Sequence, residues 1–440
     1  MIVYFSLPAY GHVNPTLPVV RELVRRGHGV VYYASEPFRR AIEETGAHFR
    51  AYCPQFRMPQ QGPGAFAQVS STLETLLDLS CAVLQHHLSE VRELAPSHVM
   101  FDSFAPWGSM VARLLRRPVI ASIPSILINA DIAARYEPAP QSGSADPRLT
   151  AEWYLAFQSR CQARLSACGF RDPPAPPQLL QTYGDLNLVY TSPCFQPSLE
   201  AFDPLRFRFV GPCFDFRPAT PAFPFEWLDG RPLVLVSLGT VYGHRPEFFS
   251  LCLEDLAGGP WQVVLAAGSD FPLQSLEPLP ENCIVRPFVP QIELLRRSAA
   301  FITHAGMNSV QEALCCGVPL LMAPQGADQF WISARTAELG AGIVLASPPI
   351  EAGAIRAGIE KLLFNPSYRA AAAGLGAPLR AAGGASRAAN EIDDFLQREM
   401  PAPVYISPST PATPSHPSSC ARPPQARSRT LETATSLEIA

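Results

Sequence analysis

The stretch from Phe288 to Gln329, FVPQIELLRRSAAFITHAGMNSVQEALCCGVPLLMAPQGADQ, constrains the fold more than any other part of the chain. At its centre, Phe301 and Ile302 close a short apolar run that reads as the end of a buried strand. Gly306 supplies a sharp turn. Val310, Ala313, Leu314 and Cys315 then share one side of a helix, which Gly317 and Pro319 bring to a stop. A strand end, a tight turn and a helix N-terminus make an anion site, because free backbone N–H groups and the positive end of the helix dipole point at whatever sits there. His304, Asn308 and Ser309 add side-chain donors, so a diphosphate is the natural guest. A reading without a ligand fits some of the same letters. Ser309-x-x-Glu312 has the spacing of a capping box, and a histidine at a strand end is often only a satisfied polar group.

The amino terminus carries a second α/β signal. Ile2 to Leu7 reads as a buried strand, and Leu17, Val20, Leu23 and Val24 as the apolar face of a helix ending near Gly27. Asn14 is the expected cap of that helix, with Pro15 at its first position. His28 to Ala34 makes a second strand, so the unit is βαβ and the sheet parallel. No G-x-G-x-x-G comes after the first strand, which argues against a dinucleotide cofactor. The chain there reads Gly11-His12-Val13-Asn14-Pro15 instead, placing His12 in the crevice at a strand's carboxyl end, where open α/β sheets bind ligands. An imidazole takes up a proton near neutral pH, although a loop histidine beside a helix start is the plainer reading. Asp102 ends another apolar run, Val99-Met100-Phe101, and suits either an orienting carboxylate or a cap for the helix around Trp107 to Leu115.

Taken in order, aromatic Phe288, then Gln291, His304, Asn308, Ser309, Glu312 and the closing Asp328-Gln329 resemble the donor-binding signature of family 1 nucleotide-sugar-dependent glycosyltransferases, bacterial macrolide-type branch. The G-H-x-N-P around His12 is similar to a second motif of that family. The resemblance implies the GT-B fold, α/β with two facing Rossmann-like domains and a cleft between them. It assigns Phe288 to a stack on the pyrimidine, Val289 to the base edge through its backbone, and Gln291 and Glu312 to the ribose. His304, Gly306, Asn308 and Ser309 fall to the diphosphate, and Asp328 and Gln329 to the hexose hydroxyls. Ser237, Gly239 and Thr240, in the turn after Leu233 to Ser237, would also help hold the diphosphate. His12 would be the general base and Asp102 its partner. Two letters depart from the commoner pattern: Ala305, where plant members usually have Gly, narrows the backbone angles open to the turn, and Phe288 replaces a frequent Trp while keeping a stacking face.

The implied activity is an inverting transfer of a hexose, with glucose on UDP preferred, to a hydroxyl of a lipophilic small molecule of macrolide, polyketide or polyphenol type. No metal is expected, the helix and His304 taking the place of a divalent cation. The alternatives are a dTDP-deoxysugar donor, a GT-B epimerase or cell-wall hexosaminyltransferase, and a non-catalytic GT-B-like auxiliary protein or scaffold.

Domain organisation is read from composition shifts along the 440 residues. An acceptor-binding domain is expected over 1–211, a proline-rich linker over 212–224, the nucleotide-sugar domain over 225–383 and a terminal helix over 384–400 packing back on the first domain. The stretch from Pro124 to Pro177 reads as irregular and aromatic (Tyr136, Trp153, Tyr154, Phe157, Phe170), the kind of region that walls an acceptor pocket in this family, although aromatics at these spacings are also ordinary core. Residues 401–440, rich in Pro, Ser and Thr, read as a disordered tail. A net charge of −4 with scattered basic residues argues against nucleic-acid or anionic-membrane binding. Eleven dispersed cysteines without metal-ligand spacing point to reduced thiols and a cytoplasmic protein. MIVYFSLPAYGH has no basic stretch and too short an apolar run to read as a signal peptide, and no apolar run reaches ~20 residues, so a soluble monomer or weak dimer is expected.

Overall fold

A computed structural model describes residues 1–57, 69–129, 131–132, 150–180, 182–214, 222–239, 246–268, 271–346 and 349–398. Two parallel sheets organise the chain. The first has seven strands, β1 (Ile2–Phe5), β2 (Val30–Ala34), β3 (His48–Ala51), β4 (His98–Asp102), β5 (Val119–Ile123), β6 (Leu186–Val189) and β7 (Phe207–Phe209), in the order β3-β2-β1-β4-β5-β6-β7. The second has six, β8 (Leu233–Ser237), β9 (Gln262–Ala266), β10 (Cys283–Arg286), β11 (Ser298–Thr303), β12 (Leu320–Met322) and β13 (Gly342–Val344), in the order β10-β9-β8-β11-β12-β13. The inner strands IVYF, VVYYA and LVLVS are buried along their whole length. That is what a parallel sheet covered on both faces demands, and it explains why these runs do not alternate.

Strand order reverses once in each sheet, between β1 and β4 and between β8 and β11. At such a switch point neighbouring connections leave in opposite directions and open a crevice at the carboxyl ends. The fold therefore presents two crevices, and the residues just past these four strands are the ones that line them.

Several elements differ from expectation. Helical structure begins at Tyr10, runs through a 3-10 turn at Asn14–Thr16 and continues as Leu17–Arg25. Asn14 is thus inside the helical run with helical angles and makes no cap, because the helical run is already entered from Ala9. Part of the stretch read as irregular is a regular helix, Ala151–Ala167, capped by Thr150. It buries Phe157, Cys161 and Leu165, and Phe170 is buried as well. These aromatics are core, with Trp153 stacked on Phe157 at 5.0 Å. Tyr136, residues 215–221 of the expected linker and the segment 401–440 lie outside the described residues.

The last described helix, Gly384–Gln397, lays Ala388, Ala389, Ile392 and Phe395 into the same core as Leu17, Val20 and Leu23 of the first half. Each large side chain buried there is worth about 2 kcal/mol. Arg26 Nη1 and His28 Nε2 bond Asp393 at 2.7 and 2.6 Å on the rim. The outgoing and returning crossings touch one another: Gly384 N–H donates to Val210 O at 2.6 Å. A Cβ on Gly211, whose φ is +81°, would stand 2.7 Å from Ala382 Cβ, so only glycine fits. A shared core also bridges the halves, with Ile126, Ile132 and Phe195 packed among Met307, Val310 and Ile332.

Candidate active site

The crevice of the first sheet holds a histidine–carboxylate pair. After β1 the chain turns straight into the short helix Tyr10–Val13, where His12 N–H donates to Ala9 O at 2.9 Å. After β4, Asp102 folds over its own turn, Oδ1 accepting from Phe104 N–H at 2.9 Å, and its other oxygen meets His12 Nδ1 at 2.9 Å. Asp102 is wholly buried and the His12 side chain is 23% exposed. A carboxylate only accepts, so Nδ1 carries the proton and Nε2 keeps a lone pair. Asp102 therefore orients the ring and does not cap the helix Pro106–Leu115, whose N-cap is Ala105. Phe104 meets the His12 ring edge-on at 5.6 Å. Burial pulls the imidazole pKa down, but the charge and hydrogen bond of Asp102 and the charge of Asp328 outweigh it and hold His12 above its usual value.

The crevice of the second sheet is built mainly from backbone. β11 ends at Thr303, Ala305 takes a left-handed φ of +65°, and the helix Met307–Cys315 starts from Gly306 with no side chain capping it. Ser309 is inside this helix, so the Ser309–Glu312 capping box does not form. The His304 ring lies between two glycines: a Cβ at Gly239 would stand 2.5 Å from His304 Cε1, and one at Gly306 would stand 2.4 Å from Nε2. Ser237 Oγ accepts from Gly239 N–H at 3.4 Å, and Thr240 lies outside the described residues. Burial pushes the His304 pKa down to about 4. Without a ligand the ring is therefore neutral at neutral pH, and it stands beside the uncapped helix N-terminus, whose dipole favours an anion.

The other donor-side residues gather around this helix. Gln291 Nε2 donates to Glu312 Oε2 at 2.8 Å and to Ser309 Oγ at 3.3 Å, and Glu312 is only 2% exposed. Phe288 is 48% exposed, leaving an aromatic face open, and Val289 is half-buried beside it. Gln329 is buried with its Oε1 accepting from Gln325 N–H at 2.8 Å and Gly326 N–H at 3.3 Å.

Two hydrogen bonds join the crevices. Asn308 Nδ2 donates to Gly11 O at 3.0 Å, next to the base. Ser125 Oγ, just beyond β5, donates to Asp328 Oδ2 at 2.5 Å. Burial raises the Asp328 pKa against the opposing effects of the Ser125 bond and the His12 charge. Sequence reasoning missed Ser125, Phe104 and the Gly11 carbonyl. Ser125 had a usable signal, since it lies past a strand's carboxyl end as Asp102 lies at one.

Among the described residues no group of three or more His, Cys, Asp or Glu is placed to hold a metal ion, and no helix is long and apolar enough to cross a membrane. The ten described cysteines are free thiols. Burial pushes Cys315, on the donor-side helix, up to about 12, so it is no nucleophile.

Known proteins are similar to this chain in sequence and fold. Residues 259–390 match the C-terminal domain family described as erythromycin biosynthesis protein CIII-like. The uncharacterized UDP-glucosyltransferase YojK of Bacillus subtilis is 31% identical over 405 residues, covering 90% of this chain and 98% of that protein. The demethyllactenocin mycarosyltransferase of Streptomyces fradiae is 32% identical over 408 residues, covering 90% and 86%. Among solved structures, the glycosyltransferase of kitacinnamycin superposes with a TM-score of 0.75 at 28% identity over 89% of this chain and 98% of that one. The calicheamicin glycosyltransferase CalG4 gives 0.74 at 28% over 91% and 99%. With two facing parallel-sheet halves of GT-B type and full-length relatives above 30% identity, the chain belongs to the macrolide-type family 1 glycosyltransferases.

Proposed function

We propose that this glycosyltransferase moves a hexose, glucose from UDP-glucose by preference, to a hydroxyl of a lipophilic natural product of macrolide, polyketide or polyphenol type, with inversion. One observation carries the reading: the His12–Asp102 pair lies across the cleft from an uncapped helix N-terminus, with Asn308 bonded to Gly11 between them. His12 Nε2 takes the acceptor proton as the acceptor oxygen attacks the anomeric carbon. The bond from that carbon to the diphosphate oxygen breaks on the opposite side. The N–H groups at Met307, Asn308 and Ser309, with His304, receive the charge that appears on the leaving oxygen. Asp102 keeps the proton on Nδ1 and stabilises the imidazolium.

UDP is preferred because Glu312 and Gln291 form a fixed polar pair for ribose hydroxyls, of which a 2′-deoxyribose lacks one. Phe288 supplies the stack for the pyrimidine, and Asp328 with Gln329 suits a sugar rich in hydroxyls. The relatives' names favour glycosyl transfer but differ in the sugar, a UDP-glucosyltransferase in one case and a mycarosyltransferase in another. The reading calls for no resident metal or organic cofactor, and places the enzyme in the cytoplasm as a monomer or weak dimer.

The test is binding and slow hydrolysis of UDP-glucose and dTDP-glucose side by side, on wild type and His304→Ala. Saturable UDP-glucose binding weakened by the substitution is the expected result. Tighter binding of dTDP-glucose would overturn the donor assignment, and no binding of either sugar nucleotide would overturn the reading.

A further inference from the structure

We propose that Ser125 is a positioning residue that, through a hydrogen bond across the cleft, holds the Asp328 carboxylate in place and so couples the second half of the protein to the catalytic base in the first. Ser125 is 2% exposed and sits just past β5 at the first sheet's carboxyl edge, whereas Asp328 belongs to the second half. Their hydrogen bond crosses the cleft at 2.5 Å. Because a carboxylate cannot donate, the serine hydroxyl must, and it satisfies Oδ2, while a backbone N–H also favours the charged carboxylate. The bond therefore fixes the carboxylate's orientation from the other half of the protein.

Two charged groups act on His12, Asp102 on its own sheet and Asp328 from across the cleft, and Phe104 covers the ring's edge. Asp328 resists ionisation because it is buried, and the Ser125 hydroxyl is the neighbouring group that most favours its charged form. Removing that hydroxyl moves Asp328 toward its neutral acid and takes a negative charge away from His12. The imidazole then becomes a weaker base. Since only neutral His12 accepts the acceptor proton, activity rises as pH passes upward through its pKa, and the acidic limb must shift to lower pH when that pKa falls.

The inference rests on the proposed base role of His12 for its catalytic meaning, but its physical content is measurable without turnover. The experiment is an NMR titration of the His12 ring in full-length protein, assigned by His12→Gln, for wild type, Ser125→Ala, Ser125→Thr and Asp328→Asn. His12 is expected to titrate at lower pH in Ser125→Ala and Asp328→Asn, and at the wild-type pH in Ser125→Thr. With UDP-glucose and an accepted alcohol, Ser125→Ala should lose roughly tenfold in kcat/KM, as befits one charge-assisted hydrogen bond, and its acidic limb should move down while the Kd for UDP holds. An unchanged His12 titration in Ser125→Ala overturns the proposal, as does a shift that Ser125→Thr fails to restore. Should Ser125→Ala not fold, Asp328→Asn decides: an unmoved His12 then refutes the coupling. Absence of any transfer would refute the hexosyltransferase reading while leaving the titration to judge this one.

Discussion

The two crevices solve different problems with different materials. In the first, the working groups are side chains held by other side chains: Asp102 fixes His12 through a hydrogen bond at 2.9 Å on ordinary helical and strand backbone. In the second, the working groups are mostly backbone N–H groups, exposed by left-handed turns at Gly239 and Ala305 and by a helix that starts without a side-chain cap. Chemistry that moves a proton needs a tuned pKa, which only a titratable side chain provides. A dianionic leaving group needs many modest dipoles in fixed places, which backbone provides best. Damage to the first crevice should therefore appear in kcat alone, and damage to the second in donor affinity as well as in kcat.

The sharpest attempt to break that division is His12→Ala. It should lower kcat about 10²–10⁴-fold while calorimetric UDP affinity stays put. Substantial retained turnover would mean that the base lies elsewhere. Next comes Asp102→Asn, which keeps the shape and removes the charge. Its kcat should fall by up to about 10³-fold, and the acidic limb of kcat/KM should move to lower pH, because Asp102 is what lifts the His12 pKa over the cost of burial. A limb that moves upward would contradict the sign of that interaction.

Gly239→Ala addresses the other side. The new methyl would stand 2.5 Å from His304 Cε1 and displace the ring. UDP-glucose affinity should fall roughly tenfold, ~1.4 kcal/mol, with a fall in kcat smaller than that of His12→Ala, because the displaced His304 also faces the leaving oxygen. Smallest is Ala305→Gly. Releasing the left-handed alanine gains about 1 kcal/mol, and the looser unfolded chain takes back much of it. Urea unfolding should show a gain of at most about 1 kcal/mol, and a loss would show that the turn is unstrained.

Both crevices were readable in the sequence for one reason. Each sits where an apolar run stops, and a run such as VMFD or FITH marks the carboxyl end of a buried strand whatever the rest of the chain does. The part beyond reach was tertiary. Ser125 and Asp328 are 203 positions apart, and nothing local signals that a hydroxyl on one sheet will meet a carboxylate from the other half. The helix Ala151–Ala167 escaped for a local reason. Its apolar stripe is a single row, Trp153, Phe157, Cys161 and Leu165, with mostly polar residues on both flanks, and its aromatics fit pocket wall and core alike. Asn14 misled because a good capping residue was already inside a helical run begun by Tyr10.

The return of the last helix to the first core has a consequence for dividing the protein. If the chain were split at the first crossing, neither fragment would be a free-standing half. The leading piece would expose the apolar strip around Leu17, Val20 and Leu23, and the trailing piece would carry the helix shaped to cover it. Such fragments should be insoluble apart and recover activity when co-expressed. The helix would act as a zipper between them, and reassembly of the pieces could serve as a reporter.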